Sequence, residues 1–513
     1  MVNLLPQKEK IVVIGAGLGG LAAALRLCHA GCDVAILDSH GAPGGKMRVI
    51  DTVAGPVDAG PTVLTLRPVF DRLFADLGER LDDHVTLRLE PLLARHFWPD
   101  GSTLDLFADP QRSAQAISDF AGPKAAQEYR RFADGARRLF EAFESPMMLA
   151  PQPSQAALTA HVMRHPGLIP LMAPQKTMAS ALAVQFTDPR LRQLFGRYAT
   201  YVGGSPYLSP AILSLVSHAE AKGVWLVEGG MHRLAQAMAG LIERRGGRFH
   251  FATHAAHIER SGAAIRAVIT ADGTRLPCTR VVFNGDPRAL ASGLLGDDLR
   301  AAVPLAATEP RSLSAQVWAF AATPNGRDLA HHNVFFGADP RSEFDALAQG
   351  RNPVDPTVYV CAQDRTSGTS PPAIERFETI VNAPPVAPRI ATDERPQSCR
   401  HLTFQTLANR GLTFSPGPPD NALTTPQAFE RMFPASLGSL YGRSPHGLMA
   451  AFQRPTARSR VPGLYLAGGG AHPGAGVPMA TLSGGHAAAA ILTDLGSISM
   501  SRPTDTPGGI STA

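Results

Sequence analysis

Gly15, Gly17 and Gly20 stand in the spacing G-x-G-x-x-G, and Asp38 follows 18 residues after the last of them. Glycines spaced in this way allow a tight turn and bring backbone N–H groups up to a pyrophosphate. They also let the following helix pack closely on the strand before it. An acidic side chain at the distance of Asp38 accepts from the ribose hydroxyls of an adenine dinucleotide, and its charge disfavours a phosphorylated ribose. The stretch SHGAPGGKM then ends in Gly44-Gly45-Lys46, a second backbone approach followed by a cation, which suits a pyrophosphate that is neutralised as well as cradled.

These residues need elements to hold them. Residues 11–14 form a short apolar run without polar alternation, as in a parallel strand buried on both faces. Residues 18–30 read as the helix, Gly31 as its C-cap, and residues 34–37 as the strand that delivers Asp38. Gly60-Pro61-Thr62 interrupts a further apolar run and returns the chain towards the ligand. Much later, residues 248–283 read as strands with a turn at Asp272-Gly273, closing on Asn284-Gly285-Asp286 at a sheet edge where ligands of doubly wound sheets bind. Residues 464–467 are a last buried strand, residues 468–476 a loop dense in backbone donors, and residues 479–492 a small-residue helix.

The chain has 513 residues, 44% hydrophobic and 18% charged, which is the composition of a folded protein of several units. No window of 18 uninterrupted apolar residues occurs, so no transmembrane helix is expected. The N-terminus lacks a signal-peptide layout, and an intracellular location is expected. The net charge of +5 comes from dispersed residues, almost all arginine, so no nucleic-acid partner is expected. Five scattered cysteines without a C-x-x-C pair argue against a disulfide framework or a metal site, and Cys28 and Cys32 read as packing residues at a helix end.

The G-x-G-x-x-G fingerprint occurs once, while pieces of the nucleotide domain return in the middle and at the end of the chain. That layout belongs to flavoproteins and makes FAD the expected cofactor. The fold expected is α/β, an FAD-binding Rossmann-like domain of the glutathione-reductase type with an inserted mixed α+β substrate domain. Its partition is FAD-binding at 1–93, 222–300 and 441–495, substrate-binding at 94–221 and 301–440, and a disordered tail at 496–513. Within the second excursion, residues 317–321, 358–361 and 401–406 read as strands.

The first excursion is helical. Its segment HVMRHPGLIPLMAPQKTM interleaves His161, Arg164, His165 and Lys176 with Leu168, Ile169, Leu171 and Met172. It reads either as a membrane-interface segment or as the cover of an internal pocket. Asp188, Arg190 and Arg197 read as helix-surface ion pairs rather than an acid/base set, and His232 as a surface residue at a helix start.

VIGAGLGGLAAALRL, GGK and DAGPTVLT, then YVGGSPYLSPA and GVWLVEGGMHRLA, then YLAGGGAHPGAGVPMATLSGG resemble the carotenoid (phytoene) desaturase family. GVWLVEGGM, the YGRS…AFQRP run and AGGGAHPGAGVPMA are most similar to its hydroxyneurosporene desaturases of phototrophic bacteria. The resemblance implies non-covalent FAD, an acyclic carotenoid substrate, 3,4-desaturation of a 1-hydroxycarotenoid, and peripheral attachment to the cytoplasmic side of a photosynthetic inner membrane. It implies that Gly468, Gly469, His472, Pro473, Gly476, Val477 and Met479 line the ribityl chain and isoalloxazine. Gly45, Lys46, Gly60, Pro61 and Thr62 are then expected near the pyrophosphate and flavin, and Gly15, Gly17, Gly20 and Asp38 at the ADP end. His472 reads as a hydrogen-bond anchor of the glycine loop rather than as a base, and no catalytic residue is assigned.

Desaturation of a polyene takes a hydride to flavin N5 and a proton from the neighbouring carbon, leaving the protein to orient the chain and exclude water. With no second nucleotide site, oxygen or a membrane quinone is the expected electron acceptor. The alternatives are another isoprenoid flavoprotein (a phytoene desaturase or a carotenoid isomerase) and a non-catalytic prenyl-binding protein.

Overall fold

A computed structural model describes residues 8–366, 370–387 and 394–500, with side chains followed to residue 497. Its organising sheet has five parallel strands in the order Leu464–Leu466, Arg280–Phe283, Lys10–Ile14, Asp33–Leu37 and Arg248–His250. Ile11, Val12 and Val13 are buried on both faces, as their unbroken apolar run requires. Ile14 pairs with both Leu37 and Phe283, and Phe283 with Leu466, so the strands end in register. This register brings Gly15, Asp38, Asn284 and Gly468 to one edge, from three distant parts of the chain.

Helices Leu18–His29 and Val477–Met500 pack face to face through glycine. A Cβ on Gly484 would lie 2.1 Å from the Gly19 carbonyl oxygen, and one on Gly20 would lie 2.0 Å from that of Gly15. Helix His232–Arg244 covers the same side through Leu234, Met238 and Ile242. The C-terminal helix runs through 496–500, where a disordered tail was expected, because its small residues continue an unbroken helical stretch. The rest of the expected tail, 501–513, lies outside the described residues.

The second sheet runs in the order Leu412–Ser415, Ser314–Gly326, Glu375–Ala383, Val358–Ala362, His332–Phe335, Leu92–Phe97 and Thr103–Phe107, with Leu423–Thr424 beside Ser314–Gly326. The division expected between residues 93 and 94 falls inside the strand Leu92–Phe97, so this sheet takes its outer hairpin from the N-terminal region. The strand expected at 401–406 is instead helical, from Pro396 to Asn409. Its buried residues Cys399, Thr403, Thr406 and Leu407 recur every three to four positions, which outweighs the β-propensity of its Thr and Phe residues.

The first excursion is helical as expected, led by Pro123–Phe143. Leu168 is buried in a cluster with Phe140, Phe143 and Leu158, and Leu171 and Met172 pack against it. This segment therefore packs over Phe140 and Phe143, which line the cavity, while its Met163 and Ile169 are exposed. No helix among the described residues is long and apolar enough to cross a membrane.

Candidate active site

One cavity of about 790 Å³ runs between the two sheets and under the helical excursion. At the parallel-sheet end it is lined by Gly15, Gly17, Asp38, Gly45 and Lys46, by Gly60, Pro61 and Thr62, and by Gly468, Gly469, Pro473, Gly476, Val477 and Met479. Gly20 lies one turn further along its helix, where it allows that helix to close on Gly15. Two helix N-termini, at Leu18 and Val477, meet the cavity here. Their first-turn N–H groups lack intrahelical partners and favour anionic oxygens.

Asp38 is buried at the strand end. Its Oδ2 accepts from Ala16 N at 2.7 Å and its Oδ1 from His40 N at 2.8 Å. These bonds fix the carboxylate and leave further lone pairs to face a ribose. Asn284 donates from Nδ2 to the Gly15 carbonyl at 3.1 Å, while its buried Oδ1 has no partner. A Cβ on Gly17 would come 3.0 Å from that amide, and one on Gly468 would come 2.5 Å from its oxygen. Asn284 thus joins the N-terminal fingerprint to the C-terminal loop.

Lys46 reaches across to the second domain. Its Nζ donates to the Leu440 carbonyl at 2.7 Å, and burial lowers its pKa to about 8. Its ammonium is therefore engaged by that carbonyl, where the sequence pointed it at the pyrophosphate. Arg454, which the sequence reading left out, lies half-buried beneath the glycine loop and donates to the carbonyls of Gly469 (2.9 Å), Tyr441 (3.0 Å) and Arg443 (2.7 Å). Burial lowers its pKa to about 10. Asp286 caps a short helix and pairs with the buried Arg311.

His472 does not line the cavity, contrary to expectation. Its Nε2 points away and donates to Ala150 in the helical excursion, which makes it an anchor of the loop. His232 is buried rather than on the surface: its Nδ1 donates to Asp58 Oδ1 at 3.3 Å, and Met231 N donates to Oδ2 at 2.7 Å. Asp188 and Arg190 form an ion pair at a helix start, but Arg197 parts from them and lies in the cavity, 4.9 Å over the Tyr201 ring. Beside it Glu220 accepts from the hydroxyls of Tyr198 and Tyr201.

Beyond the cradle the walls turn apolar. Phe140, Phe143, Met147, Met148, Leu215 and Val216 form one side, and the second sheet forms the other. There Tyr359 joins Thr62 Oγ1 to His332 Nδ1, each at 2.7 Å.

Residues 18–325 match the flavin-containing amine oxidoreductase family. The hydroxyneurosporene desaturase of Cereibacter sphaeroides is 54% identical over 95% of this chain and 98% of its own length. That of Rubrivivax gelatinosus is 44% identical over 98% and 97%. The chain belongs to the carotenoid desaturase family. The fold of this desaturase is also that of an oxidoreductase from Methanosarcina mazei (TM-score 0.57, 15% identity, 94% of this chain and 100% of that one). Cyclohexylamine oxidase from Brevibacterium oxydans shares it too (TM-score 0.54, 17% identity, 95% and 100%).

FAD is the cofactor of this desaturase, and the residues present fit it. The glycines at the cavity end keep it free of side chains, a Cβ on Gly476 meeting nothing within 4 Å; the orphaned Asn284 Oδ1 would accept a donor, and Asp38 would face the ribose. FAD supplies the hydride acceptor. The glycines and Asp38 would hold it at one sheet edge, where the apolar passage ends.

Proposed function

We propose that this desaturase introduces the 3,4 double bond into acyclic 1-hydroxycarotenoids. The observation that carries this reading is identity to hydroxyneurosporene desaturases along nearly the whole chain, joined to a cavity that pairs an apolar wall with a polar end. Hydride and proton leave adjacent carbons of a polyene whose conjugation spreads the developing charge. The protein then needs chiefly to align the chain and keep water out, as the Phe140, Phe143 and Met147 wall does. The test is conversion of 1-hydroxylated acyclic carotenoids by the FAD-loaded enzyme, read as a shift of the product spectrum to longer wavelength. An unshifted spectrum with every such substrate overturns the proposal, and substrate isomerised without flavin bleaching under anaerobic conditions would favour an isomerase.

Delivery of so apolar a substrate supports a peripheral seat on the cytoplasmic face of a photosynthetic inner membrane, with oxygen or a membrane quinone taking the electrons. Leu208, Leu448 and Met449 are exposed, Gly447 N donates to the Leu208 carbonyl, and Gly447 and Leu448 line the cavity. An apolar rim at the cavity mouth suits entry from lipid.

A further inference from the structure

Four carboxylates line the cavity among the described residues: Asp38, Glu220, Asp286 and Glu378. Three are already engaged. Asp38 accepts from two backbone amides, Glu220 from two tyrosines, and Asp286 from Arg288 N and Arg311. Glu378 is fully buried and neither of its carboxyl oxygens has a partner. An unmatched buried carboxyl costs stability, and it is retained where a ligand completes its hydrogen bonds.

Glu378 sits in the middle of the second sheet. Its strand partners are Ala319 on one side and Cys361 on the other, and Cys361 in turn faces His332. Glu378, Cys361 and His332 therefore form a polar row on the cavity side. The next row along, Val317, Ile380, Tyr359 and Val334, is apolar except for the tyrosine hydroxyl. His332 Nε2 is likewise buried and unpartnered. The row stands close to the cofactor cradle. Thr62 bonds Tyr359, and Gly60 fits so tightly against Lys46 that a Cβ would lie 2.0 Å from its carbonyl oxygen. Burial, reinforced by Asp58, holds the Glu378 carboxyl well above the ordinary carboxylate range and favours the neutral acid, which both donates and accepts.

In a 1-hydroxycarotenoid the hydroxyl oxygen is only three bonds from carbon 3, one of the two carbons that lose hydrogen. The group that recognises the hydroxyl must therefore lie near the cofactor end of the cavity, and Glu378 lines the cavity on that side: its strand partner Ala319 packs against Ala59, the neighbour of Gly60. We propose that Glu378 recognises the terminal tertiary hydroxyl of the substrate and so makes the enzyme specific for hydroxylated ends. This rests on the 1-hydroxycarotenoid reading above. The reaction is unchanged by it: the carboxyl keeps its proton, exchanges hydrogen bonds with the hydroxyl, and fixes carbons 3 and 4.

The experiment compares kcat/KM of the FAD-loaded enzyme for a 1-hydroxylated acyclic carotenoid and for the same polyene without the hydroxyl, in wild type, Glu378→Gln and Glu378→Leu. The wild type is expected to favour the hydroxylated substrate strongly, because a buried polar group is left unpaired by the other. Glu378→Leu is expected to cut that preference at least tenfold, mainly through KM for the hydroxylated substrate, and Glu378→Gln is expected to keep most of it. Infrared difference spectra of wild type against Glu378→Gln give a second reading that does not depend on how the leucine variant folds. A carboxylic C=O band should shift on adding the hydroxylated carotenoid only, and it should be absent in the glutamine variant. An unchanged preference in Glu378→Leu, equal loss of kcat on both substrates with FAD retained, or no band shift overturns the proposal. A wild type that turns over neither carotenoid overturns the underlying reading instead.

Discussion

His472 donates from Nε2 to the carbonyl oxygen of Ala150 at 2.8 Å, across 322 positions of the chain. Since a carbonyl only accepts, the proton of the neutral ring is fixed on Nε2, and burial keeps the pKa of the ring below the usual histidine range. Met147 and Met148, just before Ala150, line the cavity, so this bond couples the C-terminal glycine loop to the substrate wall. His472→Ala should cost about 1–3 kcal/mol of stability by leaving that carbonyl unpaired. It should also raise KM for the carotenoid more than it lowers kcat, checked by thermal unfolding and steady-state turnover.

Gly17→Val should abolish bound FAD. The new side chain would start 3.0 Å from Asn284 Nδ2, in the space where the backbone meets the pyrophosphate. Circular dichroism of the purified variant should show native helix content while the flavin absorbance is absent; a yellow protein would refute the placement.

Gly484→Ala should destabilise the protein by about 1–3 kcal/mol, since its Cβ would meet the Gly19 carbonyl oxygen at 2.1 Å and force the two helices apart. Gly485→Ala, whose Cβ would meet only the flexible Arg26 side chain at 3.4 Å, should change the midpoint of unfolding far less.

Acid should destabilise the protein through histidines that are buried neutral. Burial lowers the pKa values of His331, His446 and His486 to about 4 from the usual 6.5. The unfolded chain takes up these protons as pH falls through 6.5, whereas the folded chain resists until about 4, so stability falls with pH over that window. Each histidine contributes at most about 1.4 kcal/mol per pH unit there. Urea midpoints measured between pH 7 and pH 4 check this, and a flat profile would contradict it.

Leu208→Asp combined with Met449→Asp should weaken binding to anionic lipid vesicles about tenfold or more, because each exposed side chain loses its favourable transfer into lipid. FAD content should stay at the wild-type level. Vesicle flotation with and without the substitutions reads the difference.

The cofactor end was legible in the sequence because its signals are local: glycine spacing, a strand on either side, and an acid at the second strand's end. The site's reach into the second domain was not, for a physical reason. Glu378 and His232 owe their burial to strands and loops far away in sequence, and a lone polar residue gives no local sign of that. Arg197 shows the same gap: it is close in sequence to Asp188 and Arg190, yet about two turns of helix separate a surface pair from a residue in the cavity. Residues 401–406 misled because Thr and Phe favour strands, while the spacing that decided the outcome includes Cys399 and Leu407, just outside that window.

The strand Leu464–Leu466 and the helix Val477–Met500 are the last regular elements described, yet they lie beside Arg280–Phe283 and Leu18–His29. On the ribosome, the dinucleotide fingerprint therefore emerges long before the surface that closes over it. Until the C-terminal helix is released, the nascent chain carries a half-built cradle and an apolar cavity open to water, the kind of exposed surface that chaperones hold. Flavin loading is thus expected to follow synthesis of this helix, and a chain stopped before residue 464 should be colourless and prone to aggregate.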